Sequence, residues 1–290
     1  MVDIAPDLLI KIREDFRSHF DKSNIIAGLY AKIRDGTATY QEANDFAIEA
    51  GEILSKVYQS NLYSGVLPEG RMYYNIADRV ITPTMTDNYN IITKVTDQVQ
   101  KSLNEACGIG IKAVTPELNE DRIKGIVDRI SEADNFDDIL WILGEPIINF
   151  SQSIVDDAIR SNAEFQAKAG LQPVITRKVA GNCCEWCKAL AGTYRYPDEV
   201  PDEIYRRHQR CRCIVTYNPK DGKIQNIYSK KWISESEYDK IMARRTLGLQ
   251  ADNTDILKER KVVGLKANGV TISGLSEHVY ERMALRDVDI

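Results

Sequence analysis

Histidine is scarce in this chain: there are three in 290 residues. They stand apart, at His19, His208 and His278, and no His-Glu-x-x-His or His-x-Glu pair occurs. The usual signatures of a catalytic zinc are therefore missing. Long apolar runs are missing too. The most apolar stretch, Ile139 to Phe150, is interrupted by Gly144, Glu145 and Pro146, and it falls short of the roughly 20 residues that a membrane helix requires. Met1 to Asp7 hold no basic segment running into an apolar core, so no secretory leader is expected. Neither a phosphate-cradling glycine loop nor the spacing of a nucleophile elbow is present. Positive charge is not in excess: 38 Lys and Arg against 43 Asp and Glu leave a net charge of -5, which argues against a whole surface built to coat nucleic acid. The expectations are synthesis in a cytoplasm, no membrane partner and no small-molecule substrate.

What is present describes a folded protein. With 43% hydrophobic and 28% charged residues, the chain can bury one large core or two modest ones. Residues 5 to 170 read as helical. Leu9, Ile12, Phe16 and Phe20 recur at the period of an amphipathic helix. Thr39 and Glu42 have the spacing of a capping box. Thr115 before Pro116 predicts the start of a helix carrying Ile123, Ile126, Val127 and Ile130, and a long helix is expected from Ile147 to Ala169. Near Leu171 the pattern changes. Pro173 to Val179, Thr193 to Tyr196 and Cys213 to Tyr217 read as strands. Ser234 and Glu237 then suggest another helix, Asn268-Gly269 a hairpin turn, and Ser276 to Arg286 a last helix. The fold class expected is mainly α: a helical domain (1–170), a small α+β metal-binding module (171–233), a helix and linker (234–260) and a hairpin-helix tail (261–290).

Five of the six cysteines fall between Cys183 and Cys213; only Cys107 stands apart. Clustered cysteines in a reduced compartment point to metal rather than to a disulfide scaffold. Cys184-x2-Cys187 and His208-x2-Cys211-x-Cys213 supply soft sulfur and nitrogen donors at spacings that suit tetrahedral zinc. Cys184, Cys187, His208 and Cys211 form the expected ligand set, with Cys213 the rival for the fourth place; Cys183 is expected to point elsewhere. Four or five soft ligands close the shell, so the ion expected is structural and the protein is expected not to be an enzyme. Reduced, buried cysteines and a disulfide between the two halves are the other readings of these residues.

Between Arg177 and Lys231 there are twelve Lys and Arg against six Asp and Glu. Arg206, Arg207, Arg210 and Arg212 flank the ligands and offer a phosphate-binding set for sequence-independent contact with DNA. His278, Arg282 and Arg286, spaced by four, would share one helix face and form a second phosphate-facing set.

The run Cys184-Glu185-Trp186-Cys187, Leu190-Ala191-Gly192-Thr193-Tyr194, Tyr205-Arg206-Arg207-His208 and Cys211-Arg212-Cys213-Ile214-Val215-Thr216-Tyr217 resembles the C-terminal module of Mu F-type phage head-morphogenesis proteins. The likeness spans about residues 145 to 233 and continues through Gln225 to Trp232. It implies a minor capsid protein made in the host cytoplasm and carried inside the virion head. The partners it implies are the portal or the major capsid protein, with packaged DNA as a further one, and the role it implies is in head assembly or DNA ejection. Some members of the family carry a toxin- or nuclease-type extension, and Val270 to Arg282 is similar to the opening of one. A nucleic-acid-binding zinc module and a remnant of such an extension are the alternative functions.

Overall fold

The structure, a computed structural model, describes residues 3–180 and 183–219 in full and, beyond them, the backbone of four two-residue strands. It is mainly helical, with a small antiparallel sheet beside the cysteine cluster. Residues 1–221 form one compact unit and 222–290 a second.

The helices begin where local chemistry satisfies their first N–H groups. Ser23 caps α2 (Asn24–Arg34) through the N–H of Ile26. At the start of α3 (Tyr40–Asn61) the expected capping box is present: the Thr39 hydroxyl accepts from Gln41 N–H at 3.2 Å, and Glu42 accepts from Thr39 N–H at 2.9 Å. Burial alone would raise the Glu42 carboxyl, but Lys32 and both groups of Thr39 hold it down at about 2. α1 (Ala5–Phe20) buries Ile12 and rests Phe16 and Phe20 on the core. Among the described residues α4 (Tyr74–Ala106) is the longest helix, and it carries Pro83 within it.

The helix expected after Thr115 and Pro116 starts later. Thr115 donates instead to Asp97 of α4 at 2.8 Å, and the Pro116 carbonyl accepts from Tyr89. α5 (Glu120–Ser131) is capped by Asn119, which accepts from Arg122 N–H at 2.9 Å. Glu120 and Asp121 follow in the first turn, where the helix dipole favours negative charge. The four predicted apolar positions, Ile123, Ile126, Val127 and Ile130, are all buried. A short α6 (Phe136–Ile139) leads to α7 (Glu145–Lys168), which ends two residues before Gly170, a glycine at φ +89°.

α3 and α7 pack directly on each other. Gly51 allows the close approach: a Cβ there would lie 2.8 Å from Ser151 Oγ and 2.9 Å from Ile148 Cα. Above them sits the sheet, in the order β2-β1-β3, built from β1 (Val174–Lys178), β2 (Gly192–Arg195) and β3 (Ile214–Asn218). Ile175 pairs with Tyr217 and Arg177 with Val215, and these four share the buried face because side chains alternate along a strand. The change of character at Leu171 is not a break in the core. Ile175, Val215 and Tyr217 belong to the same buried cluster as the helices. Tyr217 donates to Gln166 of α7, and Gln166 and Gln100 both donate to Asn104, at 2.8 and 2.7 Å.

In the second unit, β4 (Gln225–Asn226) pairs with β5 (Lys231–Trp232), and β6 (Lys266–Ala267) pairs with β7 (Val270–Thr271). The latter ladder flanks Asn268-Gly269, where the hairpin is expected. The helices expected near Ser234 and from Ser276 to Arg286 lie outside the described residues. Among the described residues no helix is long and apolar enough to cross a membrane.

Gly51→Ala tests the α3–α7 contact. Both obstructing groups belong to a packed helix, so the substitution is expected to destabilise the protein by about 1–3 kcal/mol in urea denaturation. An unchanged midpoint would mean that the helices can separate without cost.

Candidate metal centre

Two segments bring the cysteines and His208 together. Cys184 is the N-cap of α8 (Glu185–Ala189) and Cys187 lies three positions on, the two positions that face each other in a capping box. Cys184 caps no backbone N–H with its side chain, which leaves the sulfur for the cluster. His208 and Cys211 are joined by a tight turn: Cys211 N–H donates to His208 C=O at 3.2 Å, and Arg210 holds the left-handed φ of +58° that turns the chain back. Cys211 and Cys213 follow just ahead of β3, and both are buried.

Cys187 is the meeting point. Cys184, Cys187 and His208 have their donor atoms within 4.8 Å of one another, and so do Cys187, Cys211 and Cys213. His208 Nε2 is 3.0 Å from Cys187 Sγ, and Cys211 Sγ is 3.9 Å from it. The other ring nitrogen, Nδ1, meets the Gln209 carbonyl at 2.7 Å. That contact places the proton on Nδ1 and leaves Nε2 as the ligand atom, the usual arrangement of a metal-binding histidine. All five predicted ligands thus gather in two triads sharing Cys187. Cys183 packs against the cluster from outside and joins neither triad.

The donors can hold a metal ion such as zinc: thiolates and an imidazole at these separations suit a tetrahedral ion. Without metal, burial above all pushes the Cys187 thiol up to about 12, helped by its hydrogen bond with Cys213. Burial also opposes ionisation of Cys211, but the Cys213 backbone N–H and the charge of Arg207 outweigh it and lower that thiol. A bound cation reverses the first of these effects, because metal ligation deprotonates a thiol outright.

α7 supports the ligand loop with one polar stripe. Glu145, Asn149, Gln152 and Asp156 are spaced four, three and four apart, which aligns them on one helix face. Glu145 accepts from both terminal nitrogens of Arg212, at 3.1 and 3.2 Å. Asn149 donates to the His208 carbonyl at 3.2 Å. Gln152, in the amide orientation that satisfies both of its ends, donates to the Cys211 carbonyl at 2.9 Å. Asp156 and Arg207 form a buried ion pair, side chains 2% and 5% exposed, through both carboxylate oxygens. Arg207 also donates to the Cys213 carbonyl at 2.7 Å and to Asn44 of α3 at 3.3 Å.

No family model, curated protein or solved structure matches the chain.

The fold separates the four arginines expected to face phosphate. Arg207 is buried with Asp156, and Arg212 is held by Glu145. Arg206 is exposed beside Glu203 at 2.8 Å, and Arg210 is exposed at the turn. His278, Arg282 and Arg286 lie outside the described residues. Two contributors were not anticipated. One is the α7 stripe, whose signal is the 4-3-4 recurrence of polar residues along one face of the helix. The other is Arg177, 1% exposed, whose signal is a charge in phase with Ile175 on the inward face of a strand.

Asp156→Ala leaves Arg207 buried without its counter-charge. The expected loss is about 3–5 kcal/mol of unfolding free energy in urea denaturation. A loss under about 1 kcal/mol would place Arg207 among ordinary surface charges.

Proposed function

We propose that this chain is a non-enzymatic minor head protein of the Mu F type, carried inside a phage head, in which one zinc ion holds the Cys/His module closed. The observation that carries the reading is the convergence on Cys187. The residues through which the sequence resembles that family, Cys184, Cys187, His208, Cys211 and Cys213, are the ones gathered there. Five soft donors for an ion that takes four leave no open position for substrate, which favours a structural ion over a catalytic one. Zinc bound in this way contributes its binding free energy to folding, since the unfolded chain has no preformed site.

In this reading the helical body is the part that meets the portal or the inner capsid shell. The module is anchored to it through α7 and the shared core, so that it presents a fixed surface in a crowded head. Packaged DNA is the weaker partner, because Arg207 and Arg212 already have internal carboxylate partners. Assembly in the host cytoplasm follows from the virion role.

Quantitative mass spectrometry of purified phage particles, empty procapsids and ejected ghosts tests the proposal. A few copies per procapsid and per filled head are expected, and loss from ghosts would assign the protein to delivery with the DNA. Absence from all three preparations would remove the virion role.

A further inference from the structure

Among the described residues Arg177 is a large side chain that is fully buried, at 1% exposure. A guanidinium cannot shed its charge, and burying it is heavily unfavourable unless an anion accompanies it. Among the described residues no carboxylate forms an ion pair with it. Its Nη1 donates to the carbonyls of Ile204 and, at 3.0 Å, Arg206. Its Nη2 lies 3.8 Å from Cys187 Sγ and 3.8 Å from Cys211 Sγ. The ring of Trp186 covers the guanidinium at 5.4 Å, and Nε has no hydrogen-bond partner. The sulfurs are thus the neighbouring groups able to carry negative charge, and they carry it when they bind a cation as thiolates.

We infer that Arg177 is the counter-charge and positioning residue of the metal centre, and that the thiolates it faces, Cys187 and Cys211, complete a ligand set with Cys184 and His208. The inference rests on the zinc reading above. A zinc ion with three thiolates and one neutral imidazole carries one net negative charge. The fixed positive charge of Arg177 cancels it inside the fold, where low dielectric makes the cancellation matter. The same guanidinium grips both halves of the site, since Nη1 holds the segment leading to His208 while Nη2 meets a sulfur from each half. Among the described residues Arg177 makes its sulfur hydrogen bonds to Cys187 and Cys211 and none to Cys213, so the inferred ligand set leaves Cys213 out.

Full-length protein and its R177K, R177Q and R177M variants, titrated with Co2+ and then with Zn2+ against a chromophoric chelator, test this. The parent is expected to bind one ion with the sulfur-to-cobalt band of a tetrahedral thiolate site. No uptake by the parent would remove the zinc reading itself, and the inference with it. Given uptake by the parent, R177Q and R177M are expected to weaken zinc binding by about 10- to 100-fold, the usual range for second-layer partners of a ligand. R177K keeps the charge and is expected to retain most of the affinity. Equal affinity in all three variants, or a larger loss in R177K than in R177Q, would overturn the inference while leaving the zinc reading intact. If R177Q and R177M fail to fold even with saturating zinc, the ligand assignment decides. Cys213→Ser should keep the parent's cobalt band and Cys211→Ser should diminish it; the reverse would overturn the inference.

Discussion

The ion pair between Asp156 and Arg207 is the constraint on which the geometry of the cysteine cluster depends. Fifty-one residues separate the partners in sequence, and both are almost fully buried. A pair at that depth adds little net stability, because desolvation offsets most of the attraction, but it fixes register: either group left alone would be an unpaired charge in the core. Arg207 immediately precedes His208 and also holds the Cys213 carbonyl. Docking it on α7 therefore sets where the second half of the ligand set can lie, and Asn149 and Gln152 on the same helix face hold the His208 and Cys211 carbonyls in line.

The first half of the ligand set needs no such help. Cys184 and Cys187 occupy the N-cap and third position of a short helix, so local backbone geometry alone turns both sulfurs to one side. The sheet then joins the halves, since β1 carries Arg177 to the sulfurs and β3 follows directly from Cys213. The same sheet shares its buried face with the helices through Ile175, Val215 and Tyr217. Small domains that fold only around a metal lack such a core. Here the module leans on a large helical body, and the proposed zinc closes one corner of it.

Features set by local chemistry were legible in the sequence. The Thr39–Glu42 capping box, the three strands and the pairing of donors within each half of the ligand set follow from spacings of two, three or four residues, whereas the meeting of the halves depends on α7 and the sheet. The start of α5 was misplaced because Thr115 and Pro116 form a plausible start signal, while tertiary contacts with Asp97 and Tyr89 claim both residues and Asn119 offers a better cap. Arg207 and Arg212 looked like surface charges for the same kind of reason. A residue's charge is written in the sequence, but its partner is not, and Asp156 and Glu145 lie more than fifty residues away. Arg177 was hidden by the rule that charged residues point outward. The strand's own period places it inward beside Ile175, and a cluster able to bear negative charge is what makes that position tolerable.

X-ray absorption at the zinc edge of the purified full-length protein tests the central claim most directly. The account predicts one zinc per chain, with three sulfur neighbours near ~2.3 Å and one nitrogen at about 2.0–2.1 Å. Protein that folds to the same stability without zinc, or zinc surrounded only by oxygen and nitrogen, would contradict it.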